Sequence, residues 1–217
     1  MMSGWLVYSL LLLVAYLLGS FPTGYLAARL LKGIDIRDQG SGSIGATNVL
    51  RTLGKGPAIA VLFIDAAKGA LAIALAHWVD SLSPVGELPL PWLVALAGLA
   101  AVLGHSWPIW LNFKGGKSVA TSLGILLAMS WQVGLGTLAV FGVVLAISRI
   151  VSLGSIAAAI AVSALMFILG QPLPYQLFAI AAGIYVIWRH RSNIQRLLAG
   201  EEPKIGQKLS TEPEQSA

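Results

Sequence analysis

Three polar stretches of this chain carry the residue types that bind phosphate. The first, GSGSIGATNVLR at residues 40–51, joins glycines and small hydroxyl side chains to an arginine. Glycines let backbone N–H groups converge on a phosphate oxygen, and a guanidinium offers two parallel donors. This stretch therefore predicts a phosphate site. Its candidate residues are Gly40, Ser41, Gly42, Ser43, Gly45, Thr47, Asn48 and Arg51.

The first stretch also contains G-x-G-x-x-G, the fingerprint of a dinucleotide-binding turn. That fingerprint follows a β-strand, whereas residues 32–39 read as a short polar connector. The same residues approach a P-loop, but Ala46 occupies the position of its lysine. Nucleotide binding is therefore not expected. A flexible glycine-rich linker remains an alternative, although it explains neither Arg51 nor Thr47.

Two further stretches combine cations with glycine or amide residues. Residues 104–121 place Lys114 and Lys117 around a glycine pair, directly before an apolar segment, and a helix N-terminus favours anions. Residues 189–206 follow the last apolar segment and are rich in arginine. Basic loops that only fix membrane topology are the alternative for both. The candidate site residues are His105, Gly115, Gly116, Lys117, His190 and Asn193.

Several common catalytic signatures are missing from the sequence. No histidine has an aspartate five residues later, so the His–Asp base of the commonest acyltransferases is lacking. There is no G-x-S-x-G, no H-E-x-x-H and no histidine-rich cluster. We expect no metal and no cofactor. The absence of cysteine excludes a thiol nucleophile.

The composition is that of a membrane protein. Of 217 residues, 57% are hydrophobic and only 11% are charged, and the mean hydropathy is +0.81. The apolar stretches lack the alternation of a membrane β-barrel. No lysine or arginine precedes the first apolar stretch, which therefore does not read as a cleavable signal peptide. We predict an all-α polytopic membrane protein.

Hydropathy predicts seven transmembrane helices. A span needs about 20 apolar residues, and the uncharged run at 118–147 is too long for one helix. We divide that run at the turn in residues 129–134; six spans, with the run as one tilted helix, is the alternative. The other spans are predicted at about 4–28, 57–79, 91–107, 153–169 and 174–188.

The positions of the charges favour seven spans over six. Every lysine and arginine except Lys68 lies in or beside 29–56, 108–118, Arg149 or the tail from Arg189. The positive-inside rule then places the N-terminus outside and the C-terminus in the cytoplasm. The net charge of +5 thus reports topology, and we expect no nucleic-acid partner. We predict one domain at 1–200 and a polar, partly disordered tail at 201–217.

Asp65 and Lys68 are charged residues inside the second predicted span. They lie three apart and so share one face of the helix. Charges within a membrane are usually paired or functional. We predict a buried ion pair that locks helix packing; the alternative is that these groups orient the cationic residues that bind substrate.

At its three polar stretches the chain resembles the bacterial acyl-phosphate:glycerol-3-phosphate acyltransferases, the PlsY family. The family motifs are G-S-G-N-x-G-A-T-N-x-x-R, G-H-x-x-P-x-x-x-x-F-x-G-G-K-x-V-A-T and H-R-x-N-I-x-R-L-x-x-G-x-E. They match Gly40–Arg51, Gly104–Thr121 and His190–Glu202 in order. Ser43 replaces the usual asparagine but keeps a hydrogen-bond donor. The predicted seven spans fit the fold of this family.

The resemblance implies that an acyl group passes from acyl phosphate to the sn-1 hydroxyl of glycerol 3-phosphate, giving lysophosphatidic acid. It also implies a bacterial inner-membrane enzyme with a cytoplasmic site, a bilayer environment and a soluble enzyme that supplies the donor. Acyl phosphate is a reactive mixed anhydride, so its own phosphate could accept the proton. A transporter of phosphate or an organophosphate is the alternative.

Residue roles follow from the matched motifs. Ser41 and the 42–48 loop, with Thr47, would hold the donor phosphate, and Gly115 and Gly116 would let the backbone approach the ligand. The remaining residues would clamp glycerol 3-phosphate near the reacting carbonyl, with His190 the only candidate base and binding its expected role. The implied catalytic residues are Ser41, Arg51, Lys117, His190 and Asn193.

Overall fold

Ten α-helices make up the fold in the computed structural model, which describes residues 4–82 and 88–207. Two short 3₁₀ turns accompany them, and no strand occurs in these ranges. The predicted all-helical class is confirmed for this part of the chain. The helices are α1 (Gly4–Ser20), α2 (Thr23–Lys32), α3 (Ala46–Leu53), α4 (Lys55–Leu82), α5 (Leu90–Ser106), α6 (Val119–Met129), α7 (Trp131–Ser148), α8 (Val151–Ile168), α9 (Leu173–Arg189) and α10 (Arg191–Leu198).

Each predicted span coincides with a helix or a helix pair. The run at 118–147 is divided as predicted, because α6 ends at Met129 and α7 begins at Trp131. Helix α6, with 11 residues, and α9, with 17, are short, and seven crossings stay a prediction. Among the described residues, five segments have the length and composition to cross a membrane: Gly4–Lys32, Lys55–Leu82, Leu90–Leu111, Trp131–Ser148 and Val151–Ile168.

The first predicted span is broken, contrary to its prediction as one helix. Pro22 lacks an N–H and interrupts the hydrogen-bond ladder between α1 and α2. The ammonium of Lys68, on α4, donates to the carbonyl oxygens of Phe21 at 2.8 Å and Gly19 at 3.3 Å. Lys68 also pairs with Asp65 at 2.7 Å, and both side chains are buried. The predicted ion pair is confirmed, and it stabilises the break.

Glycines bring α4 and α6 into close contact. A Cβ on Gly124 would overlap the carbonyl oxygen of Ala66, and a Cβ on Gly69 would overlap that of Thr121. The two helices can approach this closely because neither residue has a side chain. The first residues of α6 and the turn before it are thereby fixed against α4.

The segment predicted as a loop at 29–56 contains helix α3. Its apolar side packs Val49 against Ile36 and Ile44 in a small buried cluster. This cluster lies beside α2 and the start of α4. The glycine-rich segment before α3 is therefore anchored on both sides rather than acting as a linker.

Candidate active site

The three polar stretches meet at one end of the bundle, around a cavity of about 260 Å³. A smaller polar cavity of about 190 Å³ adjoins it and shares Ser41, Ser43 and Lys117. Gly42 and Gly115 line only the smaller cavity, and Gly40 and Gly116 line neither. The predicted residues that line the larger cavity are Ser41, Ser43, Gly45, Thr47, Asn48, Arg51, His105, Lys117, His190 and Asn193.

The glycine loop is held in shape by Asn48. Its amide nitrogen donates to the carbonyl oxygens of Ile36, Gln39 and Ser43 at 2.8–3.1 Å, and its amide oxygen accepts from the backbone N–H of Ser41. Both polar atoms of this buried side chain are thus used within the loop. We predicted that Asn48 binds substrate, but the structure gives it a supporting position.

Two glycines make the sharp path of the loop possible. Gly40 and Gly42 adopt φ values of 56° and 68°, in the left-handed region that favours glycine. The chain then enters α3 at Gly45, whose lack of a side chain leaves the first turn without a side-chain cap. Gly45, Ala46 and Thr47, which form the start of this turn, line the cavity. A helix N-terminus of this kind favours an anion.

Arg51 lies one turn along α3 and lines the same cavity. Its guanidinium makes no hydrogen bond to any residue that the structure describes. Half-burial lowers its pKa, an effect that Arg196 strengthens and Glu202 opposes, but the group stays cationic at neutral pH. Arg51 is therefore available to a ligand phosphate.

The glycine pair at 115–116 forms a packed turn. Gly115 N–H donates to the Ser106 carbonyl and Gly116 N–H to the His105 carbonyl, both at 3.1 Å. Arg189 donates to the carbonyls of both glycines. A Cβ on Gly116 would overlap Nε2 of His105. We predicted that these glycines let the backbone approach the ligand; in the structure the close approach of Gly116 is to the His105 ring.

His105 is buried between this turn and the ion pair on α4. Its Nδ1 lies 3.5 Å from the Lys68 ammonium and 3.9 Å from a carboxylate oxygen of Asp65. The ring thus connects the intramembrane charges to Gly116, the residue before Lys117. The ion pair of Asp65 and Lys68 is therefore linked through His105 to the backbone next to Lys117.

A hydrogen-bonded relay joins Lys117 to the C-terminal segment. The ammonium of Lys117 donates to the amide oxygen of Asn193, whose amide nitrogen donates to Glu202 at 2.6 Å. Glu202 also accepts from Ser152 and Arg196, each at 2.7 Å. Glu202 falls in the predicted polar tail, yet its exposure is 7% and it lines the cavity.

Glu202 is a site residue that sequence reasoning left out. The available signal was its position as the final residue of the third family motif. Ser152 had no such signal, because it lies in an apolar helix far from the motifs. The start of the predicted tail contacts the bundle, because Glu202 and Pro203 are buried and the backbone N–H of Ile205 donates to the Arg149 carbonyl. The rest of the predicted tail, 208–217, lies outside the described residues.

Burial tunes the charges around Lys117. It lowers the pKa of Lys117 to about 8; the neighbouring Arg196, Arg189 and Arg51 add to this lowering, and Glu202 opposes it. Burial would raise the pKa of Glu202, but hydrogen bonds from Asn193, Ser152 and Arg196 outweigh it and hold the pKa below its usual range. The polar end of the cavity therefore carries the cations Arg51 and Lys117 together with two buried carboxylates, Asp65 and Glu202.

His190 sits where α9 meets α10. Burial and then the nearby Lys117 lower its pKa to about 4, so the ring is neutral at pH 7. Its Nδ1 lies 2.8 Å from the Val186 carbonyl, which can only accept, so Nδ1 carries the proton. Nε2 is then left as a hydrogen-bond acceptor at the cavity wall.

The rest of the larger cavity is apolar and runs between helices α6 to α9. Its walls are formed by aliphatic and aromatic side chains and by small residues. An amphiphilic ligand, with a phosphate at the cationic end and a hydrocarbon chain between the helices, matches this division. The main apolar lining residues are Leu123, Leu126, Leu138, Phe141, Ala158, Ala159, Val162, Phe178, Ala179 and Ala182.

Proteins of known family are similar to this chain in sequence. Residues 9–200 match the family described as glycerol-3-phosphate acyltransferase. A glycerol-3-phosphate acyltransferase of Nostoc sp. strain PCC 7120 is 67% identical over 94% of this chain and 95% of its own length, and one of Trichodesmium erythraeum is 62% identical over 97% and 98%.

Two crystal structures of PlsY (YgiH), an integral membrane glycerol 3-phosphate acyltransferase, are also similar. The glycerol 3-phosphate form has a TM-score of 0.84 at 41% identity, and the lysophosphatidic acid form has 0.80 at 39%. Each comparison covers 92% of this chain and 96% of the other. With its three motifs gathered at one cavity, the chain belongs to the glycerol-3-phosphate acyltransferase family.

Proposed function

We propose that this enzyme takes its acyl group from acyl phosphate and releases inorganic phosphate. As a member of its family, the chain acylates glycerol 3-phosphate to lysophosphatidic acid. The observation that carries the donor assignment is a single cavity that has Arg51 and Lys117 at its polar end and is apolar over the rest of its length. A mixed anhydride suits such a site, because it needs positioning and charge stabilisation rather than strong activation.

The donor would bind along the whole cavity. Its phosphate would accept hydrogen bonds from the first turn of α3, Ser41, Ser43 and Thr47, which lie together at the cationic end. Its acyl chain would occupy the apolar part between α6 and α9. The reacting carbonyl would then lie between these two regions, near His190.

Glycerol 3-phosphate would bind beside the donor. Arg51 and Lys117 are the cations best placed to clamp its phosphate, and the small polar cavity offers a route to them from the protein surface. Asn193 holds Lys117 in place, and Glu202 holds Asn193. This arrangement supports a phosphate-binding role for Arg51 and Lys117. It supports a positioning role for Asn193 and Glu202.

The proton of the sn-1 hydroxyl would be accepted by the phosphate of the acyl donor. The sn-1 oxygen attacks the acyl carbon, the bond from that carbon to the phosphate oxygen breaks, and the departing phosphate takes the hydroxyl proton. His190, with a pKa of about 4, is a weak base. Its Nε2 would instead accept a hydrogen bond from the hydroxyl and orient it.

We further propose seven crossings of the bacterial inner membrane, with the active site on the cytoplasmic side. The cations Arg51, Lys117, Arg189 and Arg191 line the two cavities, and by the positive-inside rule segments rich in such residues lie on the cytoplasmic side. Glycerol 3-phosphate would arrive from the cytoplasm. The acyl phosphate would come from a soluble enzyme that makes it.

A donor comparison tests this proposal. Purified enzyme in detergent, given labelled glycerol 3-phosphate, should form labelled lysophosphatidic acid with acyl phosphate and not with acyl-CoA. Equal amounts of phosphate and lipid should be released. Turnover with acyl-CoA alone would contradict the donor assignment, and uptake into vesicles without any lipid product would favour a transporter.

A variant pair tests the clamp in the same assay. Arg51→Ala should raise KM for glycerol 3-phosphate, because its guanidinium faces the cavity. Arg29→Ala is the matched control, because Arg29 is exposed on α2 and does not line the cavity. Wild-type kinetics in Arg51→Ala would contradict the role of Arg51 as a phosphate ligand.

A further inference from the structure

The apolar part of the large cavity has a closed inner end. On α7, α8 and α9, the lining residues furthest from the polar end are Thr137, Val162 and Phe178. One helical turn further on, Val133, Met166 and Tyr175 no longer line the cavity; their exposures are 0%, 0% and 8%. All three belong to the hydrophobic core. Packed side chains therefore stop the cavity inside the bundle.

The helices set the depth of the cavity. Ser152, which bonds Glu202 at the polar end, and Val162 at the inner end are ten residues apart on α8. At 1.5 Å per residue this separation gives a depth of about 15 Å. On α9 the lining runs from Val186 to Phe178, eight residues and about 12 Å. The depth is fixed because both walls are rigid helices.

The side chains along the cavity differ in size from those at its end. The walls of α8 and α9 present small residues, whereas the inner end presents the bulky Val162 and Phe178. The Phe178 ring packs closely against Gly98 on α5. A Cβ added to Gly98 would lie only 3.0 Å from the ring. The small wall residues are Ser155, Ala158, Ala159, Ala179, Ala182 and Gly183.

We propose that Thr137, Val162 and Phe178 form a floor that limits the length of the acyl chain the enzyme transfers. The proposal rests on the acyl group occupying the apolar cavity, as the proposed function has it. A chain that ends at the floor buries all of its methylenes. A longer chain must bend or displace packed side chains, and a shorter one leaves part of the cavity unfilled.

The expected selectivity is moderate. Each additional methylene that the cavity buries should raise the preference roughly fourfold. A pocket of fixed size discriminates against a chain with one methylene too many or too few by about 10- to 200-fold. We expect kcat/KM to rise with donor length up to the length that reaches the floor and to fall roughly tenfold beyond it. KM for glycerol 3-phosphate should stay constant across the series.

Variants at the floor test the proposal with a series of saturated acyl phosphates of increasing length. Val162→Ala should move the optimum to longer chains, and Val162→Phe should move it to shorter ones. Ile160→Ala and Ile160→Phe are matched controls on α8, because Ile160 is 62% exposed and does not line the cavity. These controls should keep the wild-type profile.

The result that would overturn the proposal is an unchanged length profile in active Val162→Ala and Phe178→Leu enzymes. Should Val162→Phe fail to accumulate, those two variants decide the question. If only acyl-CoA supports turnover, the donor assignment fails. The length series is then run with acyl-CoA, since the same chain must enter the cavity, and the floor is judged separately.

Discussion

The pH dependence of glycerol 3-phosphate use should reveal the ionisation of Lys117. Burial lowers the pKa of this ammonium to about 8, and a phosphate ligand binds the protonated form. The charge is therefore present below pH 8 and is lost as the pH rises through that value. At pH 7 about nine-tenths of the free enzyme carries the charge, and at pH 9 about one-tenth does.

The expected result is a fall in kcat/KM for glycerol 3-phosphate of about tenfold per pH unit above pH 8. This parameter reports the ionisation of the free enzyme, so initial rates between pH 6 and 10 measure it. The second ionisation of a phosphate monoester occurs near pH 6 and does not contribute to the alkaline limb. Lysophosphatidic acid formation at saturating donor is the readout.

Two variants should change the alkaline fall in kcat/KM in opposite ways. Lys117→Arg keeps its charge throughout the range, so the loss near pH 8 should disappear even if the rate is lower. Glu202→Gln removes the carboxylate that supports the charged lysine, so the loss should begin roughly one unit lower. Lys114→Arg, on an exposed position, is the control. An unchanged alkaline limb in Lys117→Arg would refute the reasoning.

Three further substitutions separate binding from support. Arg51→Ala should raise KM for glycerol 3-phosphate roughly tenfold or more at an unchanged melting temperature, since a lost charged hydrogen bond is worth about 1.5–3 kcal/mol; an unchanged KM would contradict it. Asn48→Ala should destabilise the protein by roughly 2 kcal/mol, because four loop hydrogen bonds are lost; thermal unfolding with full wild-type stability would argue against that support. Gly116→Ala should reduce turnover at least about tenfold, because its Cβ meets His105, whereas Gly56→Ala, with open space around it, should be neutral; equal kinetics in the two would exclude the packing explanation.

Local patterns in the sequence were sufficient for the helices and for the approximate site. Long apolar runs form helices wherever the backbone must satisfy its own hydrogen bonds, so the predicted spans matched observed helices, including the division after Met129. The glycine loop, Arg51 and Lys117 were identified from residue type and spacing. Their meeting at one cavity followed from the prediction that all three stretches lie on one side of the membrane.

Pairings between distant residues were decided only by the tertiary structure. Asn48 reads as a ligand donor in sequence, but its amide is used within the loop. Glu202 reads as part of a polar tail, yet it bonds Ser152, 50 residues away. The break at Pro22 is stabilised by Lys68 from another helix. Sequence alone determined that the long apolar segments become helices, because that depends on local hydrophobicity, but it did not predict α3, which lies in the predicted loop at 29–56. Which polar atoms remain available to a substrate, and where the acyl cavity ends, depend on helix packing across the whole chain.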